Sequence, residues 1–240
     1  MKRIVCILMV VMLLLCCVAC GNNTDDPTTP SNNNGTQSSE TTGDNKNPNN
    51  DNQGNSGNVT LDAVLGAKAS PESDFEITDY GDVVEVSKYL GDDEIVVIPE
   101  TINGKKVTRI GAYVFANDYH PNTKAVKLSD GITTVSTSAF GLNAVLEIFV
   151  AGSGLVEIGE GSFQNCSSLS TVVLNEGVKT LGSACFSSCA KLEEIEIPSS
   201  VTEIHRLAFY YAAENFTIVG VTGSAAETYA NEQQITFRAK

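Results

Sequence analysis

Histidine is nearly absent from this chain of 240 residues, where only His120 and His205 occur, in different parts of the sequence. Acyl transfer by a Ser-His-Asp or Cys-His system needs an imidazole beside its nucleophile, so that chemistry has little material here. Basic residues are scarce as well: 15 Lys and Arg stand against 29 Asp and Glu, for a formal net charge of −14. Affinity for a phosphate backbone comes from clustered Lys and Arg, and no local run supplies them, which argues against nucleic acid as a partner. No glycine-rich phosphate loop follows a strand pattern. The apolar stretch from Ile4 to Ala19 is sixteen residues long, short of the ~20 that carry a helix across a bilayer.

That stretch follows Met1-Lys2-Arg3 and runs into Cys17-Val18-Ala19-Cys20. A basic start, a short apolar segment and a small residue before a break read as an export signal. The last four residues resemble a bacterial lipobox, although Cys17 stands where that motif usually has leucine. The resemblance implies a signal peptide over 1–19 and a diacylglyceryl group on Cys20, making the membrane a partner through the lipid. Cys16 or Cys17 as acceptor, a plain secretory signal, or an uncleaved anchor are the alternatives, and all of them place the protein outside the cytoplasm. Several acyl chains would hold it firmly, since each buried methylene contributes about 0.8 kcal/mol. Loss of residues 1–19 removes Lys2 and Arg3 and no acid, which makes the mature chain still more acidic.

From Gly21 to Asn58 no Ala, Val, Ile, Leu, Met, Cys or aromatic residue occurs. Such a segment has nothing to bury against the entropy of ordering, so 20–58 is predicted to be a lipidated cysteine followed by a disordered polar tether. A flexible chain of that length spans on the order of 30–37 Å.

Beyond the tether the sequence repeats. Phenylalanine returns at Phe115, Phe140, Phe163, Phe186 and Phe209, at intervals of 25, 23, 23 and 23 residues. Five residues before each stand Ile110, Val135, Ile158, Leu181 and Ile204; three residues earlier still come Val107, Ile132, Leu155, Val178 and Val201. Immediately before each phenylalanine is a small or moderate residue, Val114, Ala139, Ser162, Cys185 or Ala208, suited to a tight helical corner. Upstream, Leu192-Glu193-Glu194-Ile195-Glu196-Ile197-Pro198 and Leu169 to Leu174 alternate with period two, the pattern of a short strand with one buried face. Gly131, Gly154 and Gly177 recur between strand and aliphatic turn, which predicts a backbone position favouring positive φ. A unit of this length cannot bury its apolar face alone, so successive units must stack as a solenoid and their strands pair in a parallel sheet.

These residues resemble the BspA-type leucine-rich repeat, a bacterial surface family, over about 95–237. The resemblance implies a right-handed leucine-rich-repeat coil of about five 23-residue repeats, occupying 95–215. Residues 59–94 are then a lead-in and β cap built on Phe75-Glu76-Ile77 and Val83 to Val86. Residues 216–240 form a rear cap: Phe216 to Ile218, a helix begun by the capping box Ser224-Ala225-Ala226-Glu227 and running to about Asn231, and a strand from Ile235 to Phe237. Two extra residues around Asn117 to Pro121 predict a bulge loop, with His120 beside Asp118 a solvated residue.

Cys166 and Cys189 fall one repeat apart, a spacing that permits either a disulfide or a ladder of buried thiols; the family's repetitive use of this position implies the ladder. Cys185, Cys189 and His205 are too few and wrongly spaced for structural zinc, and no cofactor is expected. Glu193, Glu194 and Glu196 are paired acids only in appearance, because Glu193 and Glu194 point to opposite faces of an extended strand. The chain is therefore read as a non-enzyme. Stacked strands display outward columns, here Lys127, Val150, Val173 and Glu196 beside Ala125, Ile148, Thr171 and Glu194. Apolar Ile148, Val150 and Val173 amid charge mark either a contact surface or ordinary β-propensity on an exposed strand. A surface protein binding a protein or glycan leads; a structural envelope spacer follows, and an extracellular hydrolase is the remote alternative.

Overall fold

The computed structural model describes residues 58–240, so the signal segment, Cys20 and the tether up to residue 57 lie outside the described residues. Helix α1 (Leu61–Gly66) opens this part, capped by the Thr60 hydroxyl accepting from the Ala63 N–H. Strands β1 (Phe75–Asp79) and β2 (Val83–Tyr89) form an antiparallel hairpin with a bulge between Glu76 and Ile77. Next come β3 (Ile95–Val97), β4 (Thr101–Ile102) and β5 (Lys105–Ile110), with β4 antiparallel to β5. Each following coil contributes one three-residue and one two-residue strand. These are β6 (Ala125–Lys127) with β7 (Thr134–Val135), β8 (Ile148–Val150) with β9 (Glu157–Ile158), β10 (Thr171–Val173) with β11 (Thr180–Leu181), and β12 (Glu194–Glu196) with β13 (Glu203–Ile204). Strand β14 (Thr217–Gly220), helix α2 (Ala225–Gln233) and β15 (Thr236–Ala239) close the chain.

The result is a β-solenoid of about seven turns, each of about 23 residues. The two extra turns lie at the rear, where the row of strands continues through β14 and β15 without a phenylalanine of the series. One side carries the parallel ladders β3-β6-β8-β10 and β12-β14-β15, with β10 beside β12. A second side carries β2-β5-β7-β9-β11-β13, extended by β1 at the front. The aliphatic turn expected before each phenylalanine is thus itself a strand: Val135, Ile158 and Leu181 point inward while their neighbours meet solvent.

The third side has no named strands, yet it is laddered too. The N–H of Phe115, Phe140, Phe163 and Phe186 each donates to the residue before the next phenylalanine, at 2.8 Å every time. The N–H two residues further on, from Asn117, Leu142, Asn165 and Ser188, donates to the carbonyl of the residue after the next phenylalanine. These bonds require two left-handed columns, Tyr113, Ser138, Gly161 and Ala184, then Asn117, Leu142, Asn165, Ser188 and Tyr211, with φ between 52° and 63°.

The phenylalanine rings stack through the centre at 5.1, 4.8, 5.1 and 5.5 Å between centroids, within 10° of parallel. Tyr89 and Phe75 continue the line at the front, Phe216 and Tyr229 at the rear. Ile110, Val135, Ile158 and Leu181 are fully buried beside them, whereas Ile204, on the edge strand β13, is half-buried.

Three expectations need correction. Among the recurrent glycines only Gly177 has positive φ, 129°; at Gly154 a Cβ would run into the Asp130 carbonyl, so close approach of the neighbouring coil explains that position. His120 is not solvated: its ring is 8% exposed and packs on Tyr89 and Phe115, because the 3₁₀ turn Asn117–Tyr119 folds the extra residues back over the core. Helix α2 extends to Gln233, beyond Asn231, and Gln234 ends it in a left-handed conformation. Its start follows the capping box: the Ser224 hydroxyl accepts from the Glu227 N–H, and the Glu227 carboxylate accepts from the Gly223 N–H at 2.6 Å.

Candidate recognition surface

Inward residues Val96, Val126, Phe149, Val172 and Ile195 hold the three-residue strands to the core, so their flanking residues face the other way. Parallel pairing sets these in register, with Ile148 between Ala125 and Thr171, and Val150 between Lys127 and Val173. The predicted columns run in register through β6, β8 and β10, whereas Glu194 and Glu196 lie on β12, which contacts β10 but belongs to a separate sheet. Their exposure is not as expected.

Ile148 is 5% exposed and Val150 4%. With Ala125 they form a second apolar cluster beneath α1, whose Val64 is completely buried on them; Val59, Leu61, Ile95 and Val173 pack around the margin. The Lys127 ammonium reaches the end of α1 and donates to the Leu65 carbonyl at 2.8 Å. The chain then runs to Ser70, whose N–H donates to Val97 and whose hydroxyl accepts from the Val97 N–H. The apolar patch predicted as open is thus covered by the chain's own lead-in, because burying Val64 and its neighbours removes that apolar area from water.

The other half of the face is open. Thr171 and Val173 are half-buried, and Glu194 and Glu196 are exposed. The Glu194 carboxylate lies 2.6 Å from the Arg238 guanidinium and Glu196 2.5 Å from the Lys240 ammonium, pairing β12 across β14 to the last strand. These exposed pairs contribute little stability; they order alternating charge on a flat surface.

The cysteines are placed for packing. Cys166 and Cys189 are free thiols, each donating to the carbonyl of a phenylalanine in the previous coil at 3.1 Å, from Cys166 to Phe140 and from Cys189 to Phe163. Asn143 occupies the same position one coil earlier and donates to the Phe115 carbonyl at 2.8 Å. Burial pushes the Cys189 thiol up to about 12 and raises those of Cys166 and Cys185 strongly, so the nucleophilic thiolate is suppressed. His205 lies at the surface with Nδ1 accepting from the Leu207 N–H, whereas Cys185 and Cys189 are buried. Among the described residues no group of three or more His, Cys, Asp or Glu is placed to hold a metal ion.

A family model and one solved structure agree with the solenoid fold. A family model described as BspA type Leucine rich repeat region matches residues 96–215 in six copies. A Leucine Rich Repeat protein of T. pallidum superposes with a TM-score of 0.59 at 27% identity, covering 63% of this chain and 71% of its own. A leucine-rich repeat protein from Bacteroides ovatus aligns at 25% identity and a TM-score of 0.48, over 64% of this chain and 40% of its own. A leucine rich cell surface protein from Faecalibacterium prausnitzii aligns at 20% and 0.43, over 64% and 55%. No curated protein matches the sequence significantly.

Proposed function

This chain belongs to the BspA-type leucine-rich repeat family of bacterial surface proteins, and from that premise we propose that it is a lipid-anchored envelope protein binding an extracellular protein or glycan. The observation that carries the reading is the open half of the strand face. There Glu194, Thr217 and Thr236 stand in register across β12, β14 and β15, with Glu196 further along β12 and Thr171 on the adjoining β10, beyond the margin of α1. Strands ~4.7–4.9 Å apart make such a row a fixed ruler of side chains, with no ordering entropy left for the backbone to lose on binding. The acidic, polar composition suits reversible contact with a macromolecule more than enclosure of a small substrate. Cys20 and the tether supply attachment and reach in this reading.

Cross-linking the chain on intact cells and on candidate host surfaces tests it. A discrete captured macromolecule is the expected result; a chain that cross-links to nothing is an envelope spacer. In parallel, Cys20→Ser is expected to leave the precursor without lipid, and normal acylation of that variant would remove the anchor assignment.

A further inference from the structure

One coil departs from the others. The left-handed column before the phenylalanines holds Ser138, Gly161 and Ala184, residues with small side chains or none, but Tyr113 at its front with φ 63°. A bulky residue in that conformation is uncommon and costs energy that something else must offset. The Tyr113 ring is not recovered by the core: it is 62% exposed. The same coil carries the extra residues, which place Tyr119, 73% exposed, and the buried His120 nearby. Together with Lys88 and Tyr89 these side chains line a cleft of about 330 Å³, within the size range of small-ligand sites.

The lining divides by chemistry. Two exposed phenol rings provide apolar faces with polar edges. The deeper wall is rigid, since the His120 ring packs 5.0 Å from Tyr89, and the Tyr89 hydroxyl donates to the Asp93 carboxylate and accepts from the Asp93 N–H. Lys88 is the one cationic side chain lining the cleft, and its ammonium already lies 3.9 Å from Glu76. A phosphorylated ligand would meet too little positive charge, and a wholly apolar one would strip water from the exposed Ser87 hydroxyl, Lys88 ammonium and tyrosine hydroxyls without replacing it. A sugar ring matches both halves, with a C–H face for a tyrosine ring and hydroxyls for the exposed Lys88, Ser87 and tyrosine O–H groups.

We propose that this cleft binds a pyranose residue of a glycan, stacked on Tyr113 and Tyr119. The site shares no residue with the strand face and does not depend on the reading of that face. The test uses the full-length chain on an array of defined neutral, N-acetylated and acidic oligosaccharides, followed by titration of those retained. Tyr113→Ser, which copies Ser138 of the next coil, and Tyr119→Ala are each expected to weaken binding about ten-fold or more. Their thermal midpoints should not fall below the wild-type value, and a Thr171→Arg/Glu194→Arg face variant should bind the sugar normally. No retained glycan, full affinity in both correctly folded tyrosine variants, or loss of sugar binding only in the face variant would overturn the proposal. Should Tyr113→Ser fail to fold, Tyr119→Ala and Lys88→Met carry the same test from outside the left-handed column.

Discussion

Phe163 lies between Phe140 and Phe186 with Phe149 edge-on at 4.6 Å, so its ring meets neighbours on every side. Phe163→Ala is expected to cost roughly 3–5 kcal/mol in chemical denaturation; an unchanged midpoint would contradict the stacking register. His120 gives a pH test. Burial, with some help from Lys88, holds its imidazole below the ordinary 6.5, against hydrogen bonds to Val114 and Gly91 and the charge of Asp92. The unfolded chain takes up the proton first, so this contribution is complete above about pH 6.5 and is lost as pH falls through that value toward the lower folded one. The unfolding midpoint should therefore decline between about pH 7 and pH 5, and less steeply in His120→Asn; equal slopes would show the ring to be freely solvated. Phenylalanine positions are legible in sequence because one large apolar ring per coil fills one place in the core. The left-handed columns are not, since Asn, Ser, Ala, Leu and Tyr occupy them and hydrogen bonds from the adjacent coil, rather than residue type, set the backbone there.

Helix α1 has six residues, too few to persist in water alone. Its existence depends on burying Val64 against Ala125, Ile148 and Val150. Val64→Asp should release it, and hydrogen exchange over residues 59–66 should accelerate while the rest of the solenoid keeps its protection. A binding assay with an environment-sensitive apolar dye should then report newly exposed surface; unchanged exchange and dye signal would mean that α1 is held by other contacts. The alternation of the three-residue strands was legible, as were the β hairpin at Phe75 to Tyr89 and the capping box at Ser224. The cover over Ile148 and Val150 was not. Nothing local in residues 59–66 says that this segment folds back on strands some sixty residues further along the chain. Likewise a two-residue strand such as Thr134–Val135 is too short to show a period, and only its ladder with β5 and β9 reveals it.

At the scale of the molecule, a row of strands from β3 to β15 presents one face whose front half is sealed by the chain itself and whose rear half is open. An exposed terminal coil would offer a bare core and an unpaired edge; the β1-β2 hairpin covers the front and α2 with β15 the rear. The acidic balance of the chain favours solubility and repels anionic surroundings; in the function proposed above, recognition falls to side chains in the open rows. The account's central claim is that the open half of this face makes the contact with a surface partner. The most direct measurement is equilibrium binding of the full-length chain to the cell surface on which cross-linking captures a partner, comparing wild type with Thr171→Arg/Glu194→Arg at equal thermal stability. Reversal of shape and charge at the centre of the contact should weaken binding about ten-fold or more, whereas equal affinity of the two proteins would contradict the claim.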